Sequence, residues 1–197
     1  MLREPAARIV SEHKYCHTIN FEDQCCTGRR GAVYMRTLDV IQWAEEKGSF
    51  MLEHFLQLAP EDWHHSNTEA YVPWRQRDRE TRVNPLETRR SREGAANAAD
   101  LQFVVEHLEE WFAVIGITER FVESMSLFAF ALTGKLIPRN MANSVHTHNQ
   151  NTNTSVIDIA SLKQINEAVK LDVGLYRAAL ALFEKQLAAF KQRGLSI

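Results

Sequence analysis

The residues best suited to anion chemistry lie at the start of the chain, in Leu2-Arg3-Glu4-Pro5-Ala6-Ala7-Arg8-Ile9-Val10-Ser11. Pro5 suits a first helical turn, where the N–H it lacks would be unpaired anyway, so a helix is expected from about Pro5 to Cys16. Arg3 then stands at the junction before that helix, where a strand would end. Ser11, two helical turns beyond Pro5, can turn its hydroxyl toward the same side. One phosphate could then take both a guanidinium fork and a hydroxyl hydrogen bond. The same residues also allow a plainer arrangement, with Arg3 and Arg8 paired to Glu4 and Glu12 on a solvated helix.

Metal chemistry has a weaker claim. His13, Cys16 and His17 fall at i, i+3 and i+4 of the expected helix, with Cys25 and Cys26 beyond it, and such residues are the usual tetrahedral zinc ligands. Neither a Cys-x-x-Cys pair nor a standard finger spacing is present, and the same cysteines suit packing or a disulfide. With three cysteines in all, at least one stays free or pairs between chains. His146-Thr147-His148 sits in an Asn- and Thr-rich stretch and reads as solvated. Arg75, Arg77, Arg79, Arg82, Arg89, Arg90 and Arg92 alternate with Asp78, Glu80 and Glu87, which describes a basic surface loop with some capacity for acidic glycans.

These groups need elements to position them. Thr37 is a candidate cap for a helix bearing Leu38, Ile41 and Ala44, and Phe50 to Leu58 suits another that Pro60 would end. Leu101, Val104, Val105, Leu108 and Trp111 recur at helical spacing. Phe112-Ala113-Val114-Ile115-Gly116-Ile117 follows, and its apolar continuity suits a strand buried on both faces. Helix leading into buried strand is an α/β signature. Phe121, Met125, Phe128 and Leu132 mark a further helix, and Lys135 to Ser155 a long polar loop. Ser161 with Gln164 forms a candidate capping box, and a last helix is expected from about Leu171 to Gln192.

Composition bounds the alternatives. The 197 residues are 45% hydrophobic and 24% charged, which fits one globular domain, here residues 1–197 with a basic loop insertion at 64–94. With 23 Lys and Arg against 25 Asp and Glu, the chain lacks the cationic surplus of a nucleic-acid binder. Its longest apolar run, Trp111 to Ile117, is far shorter than the roughly 20 residues that span a bilayer. Charges follow the first residues where a signal peptide would be apolar. Asn153-Thr154-Ser155 is a glycosylation sequon, compatible with a secretory lumen.

The pattern Arg3-x-Pro5-x-x-Arg8-x-x-Ser11 resembles the 3′-phosphate-binding motif of sulfotransferases that use phosphoadenosine phosphosulfate (PAPS). Gly116-Ile117-Thr118-Glu119-Arg120-Phe121-Val122-Glu123-Ser124 is similar to a stretch of the Golgi-type carbohydrate sulfotransferases. Ile165-Asn166-Glu167 and Asp172-Val173-Gly174-Leu175-Tyr176 are similar to that family's ending. The resemblance implies an α/β, P-loop-NTPase-like parallel sheet flanked by helices, N-terminally incomplete and mostly helical here. It implies sulfuryl transfer from PAPS to a hydroxyl or amine of a polysaccharide or glycan in the Golgi lumen. Any membrane attachment would come from an anchor upstream. Arg3 and Ser11 match the 3′-phosphate ligands, and Lys135 and Arg139 match basic residues that close over the nucleotide. Glu119 and Arg120 are expected to anchor structure. The family's 5′-phosphosulfate loop and usual base would lie upstream of Arg3, so no catalytic base is assigned and residues 1–197 alone are expected not to turn over. His13, His64, His65 and Lys135 are the remaining candidates for a base. The competing expectation is a noncatalytic helical module that binds glycans or is stabilised by zinc.

Overall fold

The computed structural model describes residues 1–18, 35–58, 96–135 and 157–193. Among them the chain forms seven α-helices: α1 Pro5–Thr18, α2 Val40–Lys47, α3 Phe50–Leu58, α4 Ala98–Trp111, α5 Phe121–Thr133, α6 Ile159–Ala168 and α7 Lys170–Gln192. A 3-10 turn, Thr118–Arg120, leads into α5.

Local chemistry sets the helix ends. Asp39 caps α2 by accepting the N–H groups of Ile41 and Gln42, while the Gln42 side chain accepts the N–H of Asp39. Asn97 and Asp100 repeat this reciprocal arrangement at α4. Asp158 caps α6 by accepting from the Ser161 N–H and hydroxyl. The caps are therefore Asp39 and Asp158, where Thr37 and the Ser161–Gln164 box were expected. Each acidic residue lies two or three positions earlier or later than its rival and holds its helix at the N2 or N3 amide. Gly134 ends α5 in the left-handed conformation at φ 69°, which glycine adopts without steric cost.

The 23-residue helix α7 is the axis of the molecule. On one side it packs with α3, α4 and α5 around Leu52, Val104, Ile117, Leu175, Phe183 and Phe190. The second apolar cluster joins α1, α2 and α6 through Ile9, Met35, Trp43, Ala44, Ile165 and Val169. Gly174 lets α7 approach α4 closely, since a Cβ there would stand 2.7 Å from Leu101 Cδ2.

The expected parallel-sheet α/β fold is not what forms. Among the described residues there is no strand, only an isolated parallel bridge between Leu2 and Ile117. Phe112 and Ile117 do have extended backbones, with φ/ψ of −126°/105° and −114°/126°. On one edge, however, side chains take the place of a neighbouring strand. Gln186 accepts from the Ile115 N–H and donates to the Ala113 carbonyl, and the Ser124 hydroxyl accepts from the Ile117 N–H and donates to the Ile117 carbonyl. On the other edge Leu2 alone pairs among the described residues, its N–H donating to Gly116 O at 2.7 Å and its carbonyl accepting from Thr118 N at 2.7 Å. Apolar continuity suggested a strand buried on both faces, whereas only Ile115, Gly116 and Ile117 are buried, Ala113 is exposed in a bend, and no strand forms. The pattern carried no information about what would satisfy that segment's backbone.

Candidate anion site at the start of α1

The bridge that replaces the sheet also builds the best candidate site. Leu2 is tied to Gly116 and Thr118 by its two backbone bonds. One residue beyond Arg3, the Glu4 N–H donates to Glu119 Oε1 at 3.0 Å. Arg3 thus stands between two tethered backbone positions. It is solvent-exposed, with no side-chain hydrogen bond or ion pair among the described residues. Ser11 is half-buried on α1 and its hydroxyl likewise has no partner among them. It lies seven residues after Glu4, hence on nearly the same helix face, with about 10 Å of axis between them. An extended arginine side chain and a bound phosphate would together have to fill that span.

The helix terminus itself is already occupied. Glu4 Oε1 and Oε2 accept the N–H groups of Ala6 and Ala7 at 3.2 and 2.6 Å, where a carboxylate complements the positive end of the helix dipole. An anion here would therefore depend on the Arg3 and Ser11 side chains and would meet the negative charges of Glu4 and Glu119. This favours a group held by an arginine fork over one held by free amides.

Behind the site, Glu119 Oε2 accepts from the Tyr176 hydroxyl at 3.1 Å. Burial, together with the Glu119 carboxylate, pushes that phenol up to about 12. Arg8 turns inward from the same helix. Its Nη2 donates to Asp172 Oδ2 at 3.0 Å, and its Nη1 lies 3.6 Å from Glu12, which also pairs with the buried Lys47 at 2.7 Å. Asp172, fully buried, additionally accepts the Met51 and Leu52 N–H groups at the first turn of α3. Burial drives its carboxyl above the ordinary aspartate value, against the opposing pull of Arg8 and those two amides. Of the charge pairs expected on a solvated α1, Arg8–Glu12 forms and Arg3–Glu4 does not.

Glu119 and Arg120 act as anchors, as the sequence suggested. Arg120 pairs with Glu123 and with Glu184 of α7, which raises the guanidinium further and holds the Glu123 carboxyl below its usual range. Lys135 is not brought to Arg3. It is exposed just past the end of α5, about 20 Å of helix from the turn that abuts the Arg3 segment. Arg139, the 64–94 segment with His64 and His65, His146, His148 and the sequon lie outside the described residues.

Among the described residues no group of potential metal ligands is gathered, and Cys25 and Cys26 of the expected zinc cluster lie outside them. Cys16 is disulfide-bonded, and its partner, Cys25 or Cys26, is outside the described residues. His13 Nε2 lies 3.0 Å from the Leu38 carbonyl. His17 Nδ1 and Nε2 lie 2.8 and 2.9 Å from the carbonyls of His13 and Arg36. A sulfur in a disulfide is no thiolate, and ring nitrogens facing carbonyls are not poised to ligate a metal. Burial lowers His13 below the ordinary histidine value. Among the described residues no helix is long and apolar enough to cross a membrane.

Compared with known proteins, the chain matches no family model, no curated protein and no solved structure.

Proposed function

We propose that this chain binds the 3′-phosphoadenosine end of PAPS through Arg3 and Ser11 and serves sulfuryl transfer to a carbohydrate hydroxyl or amine. One observation carries this reading. The three sequence blocks that resemble carbohydrate sulfotransferases, separated by more than 100 and then by about 50 residues, are joined by direct bonds around Arg3. Leu2, just before the first, meets Gly116 and Thr118 of the second, Glu4 within the first meets Glu119, and Tyr176 of the third meets Glu119. Asp172 of the third block holds Arg8 of the first. Chance resemblances scattered along a chain have no particular reason to meet around Arg3, whose side chain has no partner among the described residues.

A phosphate monoester suits this arrangement because a guanidinium fork offers paired donors to two phosphate oxygens and Ser11 a further donor. Sulfuryl transfer needs the donor held rigidly while charge builds on the leaving phosphate, and anchoring its distal 3′ phosphate supplies part of that positioning. The Cys16 disulfide supports an oxidising compartment such as the secretory lumen. The reading is tested by calorimetric titration with adenosine 3′,5′-bisphosphate. Arg3→Ala is expected to weaken binding by about 1.5 to 3 kcal/mol, roughly ten- to hundredfold. Unchanged affinity in that variant removes Arg3 from the site and the reading with it.

A further inference from the structure

We propose that Glu119 is a positioning residue for Arg3, acting through the backbone of Glu4, and that Tyr176 sets its orientation; the inference rests on the nucleotide reading above. Arg3 reaches its exposed position through a short junction that neither helix nor sheet would hold. Before it, Leu2 is fixed by two backbone bonds to the extended segment. After it, the Glu4 N–H precedes the helix's own hydrogen-bond ladder and finds Glu119 Oε1 instead, at 3.0 Å and 115 residues away in sequence. The second carboxylate oxygen is engaged by Tyr176 from α7, so Glu119 is held between two elements and cannot swing freely into solvent. Without that bond, the Glu4 amide would turn to water and the φ/ψ of Arg3 would be fixed on one side only. A bidentate arginine contact depends on direction as well as charge, so loosening its backbone costs affinity even with the guanidinium intact.

The chemistry separates this role from its alternatives. A carboxylate beside Arg3 that merely repelled phosphate would, once removed, improve binding. A purely structural residue would, once removed, lower stability and weaken every nucleotide equally. A positioning residue weakens only the ligand that uses Arg3, and only while Arg3 is present.

The test uses the full chain, with calorimetric affinities for adenosine 3′,5′-bisphosphate and for adenosine 5′-monophosphate, which lacks the 3′ phosphate, and amide hydrogen exchange at Glu4. Glu119→Ala is expected to weaken the bisphosphate roughly three- to tenfold, the worth of one ordinary hydrogen bond, and to leave the monophosphate unchanged. Glu119→Gln, which keeps an acceptor for the Glu4 N–H, should stay within about twofold of the wild type. In an Arg3→Ala background, Glu119→Ala should have no further effect. Glu4 exchange should quicken in Glu119→Ala and return in Glu119→Gln. Should Glu119→Ala fail to fold, Tyr176→Phe removes only the orienting bond and is read by the same measurements. Tighter bisphosphate binding, equal loss for both nucleotides, additivity with Arg3→Ala, or unchanged Glu4 exchange would each overturn the proposal. If the wild-type chain binds no bisphosphate, the nucleotide reading fails by itself, and the exchange comparison still decides whether Glu119 holds this junction.

Discussion

Replacing Asp172 with alanine should be the most destabilising single change at the junction of α1, α3 and α7. The carboxylate is fully buried and accepts three donors: Arg8 Nη2 at 3.0 Å, Met51 N at 3.0 Å and Leu52 N at 2.9 Å. Alanine would leave two buried amides at the start of α3 without partners, each worth about 1 to 3 kcal/mol of desolvation. It would also leave Arg8 with only the longer 3.6 Å contact to Glu12 and its placement over the Phe50 ring at 5.5 Å. Breaking one side of a buried ion pair typically costs about 3 to 5 kcal/mol, and we take that as the expected loss. It is a large share of the roughly 5 to 15 kcal/mol that holds an ordinary domain together. For a chain of this size it corresponds to a fall in Tm of about 10 °C. Asp172→Asn should cost somewhat less, because its carbonyl still serves one amide while its NH2 faces the other donors. Urea unfolding followed by circular dichroism measures both. A loss below about 1 kcal/mol in Asp172→Ala would refute the claim that this carboxylate organises the junction.

Further perturbations bear on the rest of the account. Burial lowers His13 below the ordinary histidine value, so the unfolded chain takes up this proton first as pH falls. Stability should then be full above about pH 6.5 and decline below it; urea midpoints at pH 7.5 and 5.5 should show the slope, flattened in His13→Gln, and an equal slope in that variant would exclude His13 as its source. Gly116→Ala would place a Cβ 2.5 Å from Phe128 Cε2 and 2.9 Å from Met1 Cγ, and should cost about 1 to 3 kcal/mol in the same assay; a neutral result would mean that Phe128 yields without cost. Alkylation before reduction should label one cysteine of the three, and reduction should lower stability by about 3 kcal/mol for a loop of roughly ten residues; three labels in the unreduced protein would show that Cys16 is not bridged.

The helices were legible because their signal is local. Phe50–Leu58 matches the expected bounds, and the 3.6-residue recurrence of Leu101, Val104, Leu108 and Trp111 identified α4. The absence of a sheet was not legible, since whether Phe112 to Ile117 pairs with a strand or with side chains depends on Gln186, about 70 residues further on, and on Ser124. Cap positions were missed where two suitable residues stood close together, as with Thr37 and Asp39. At the candidate site, the pattern picked out Arg3 and Ser11, which stand exposed and half-buried without side-chain partners among the described residues, and Glu119 was expected as an anchor. What it anchors was invisible: its partners Glu4 and Tyr176 lie 115 and 57 residues away. Asp172 was noticed only as part of a block, although a lone aspartate among the apolar residues at the start of α7 was the available sign of a buried charge in need of a partner.

The most direct test of the central claim is a nuclear magnetic resonance titration of the isotope-labelled chain with adenosine 3′,5′-bisphosphate, with adenosine 5′-monophosphate as the comparison. The account predicts saturable shifts largest from Leu2 to Ser11 and at Thr118–Arg120, with those at Arg3 and Ser11 absent for the monophosphate. Shifts centred elsewhere with Arg3 and Ser11 unmoved, or no shifts at millimolar nucleotide, would contradict it.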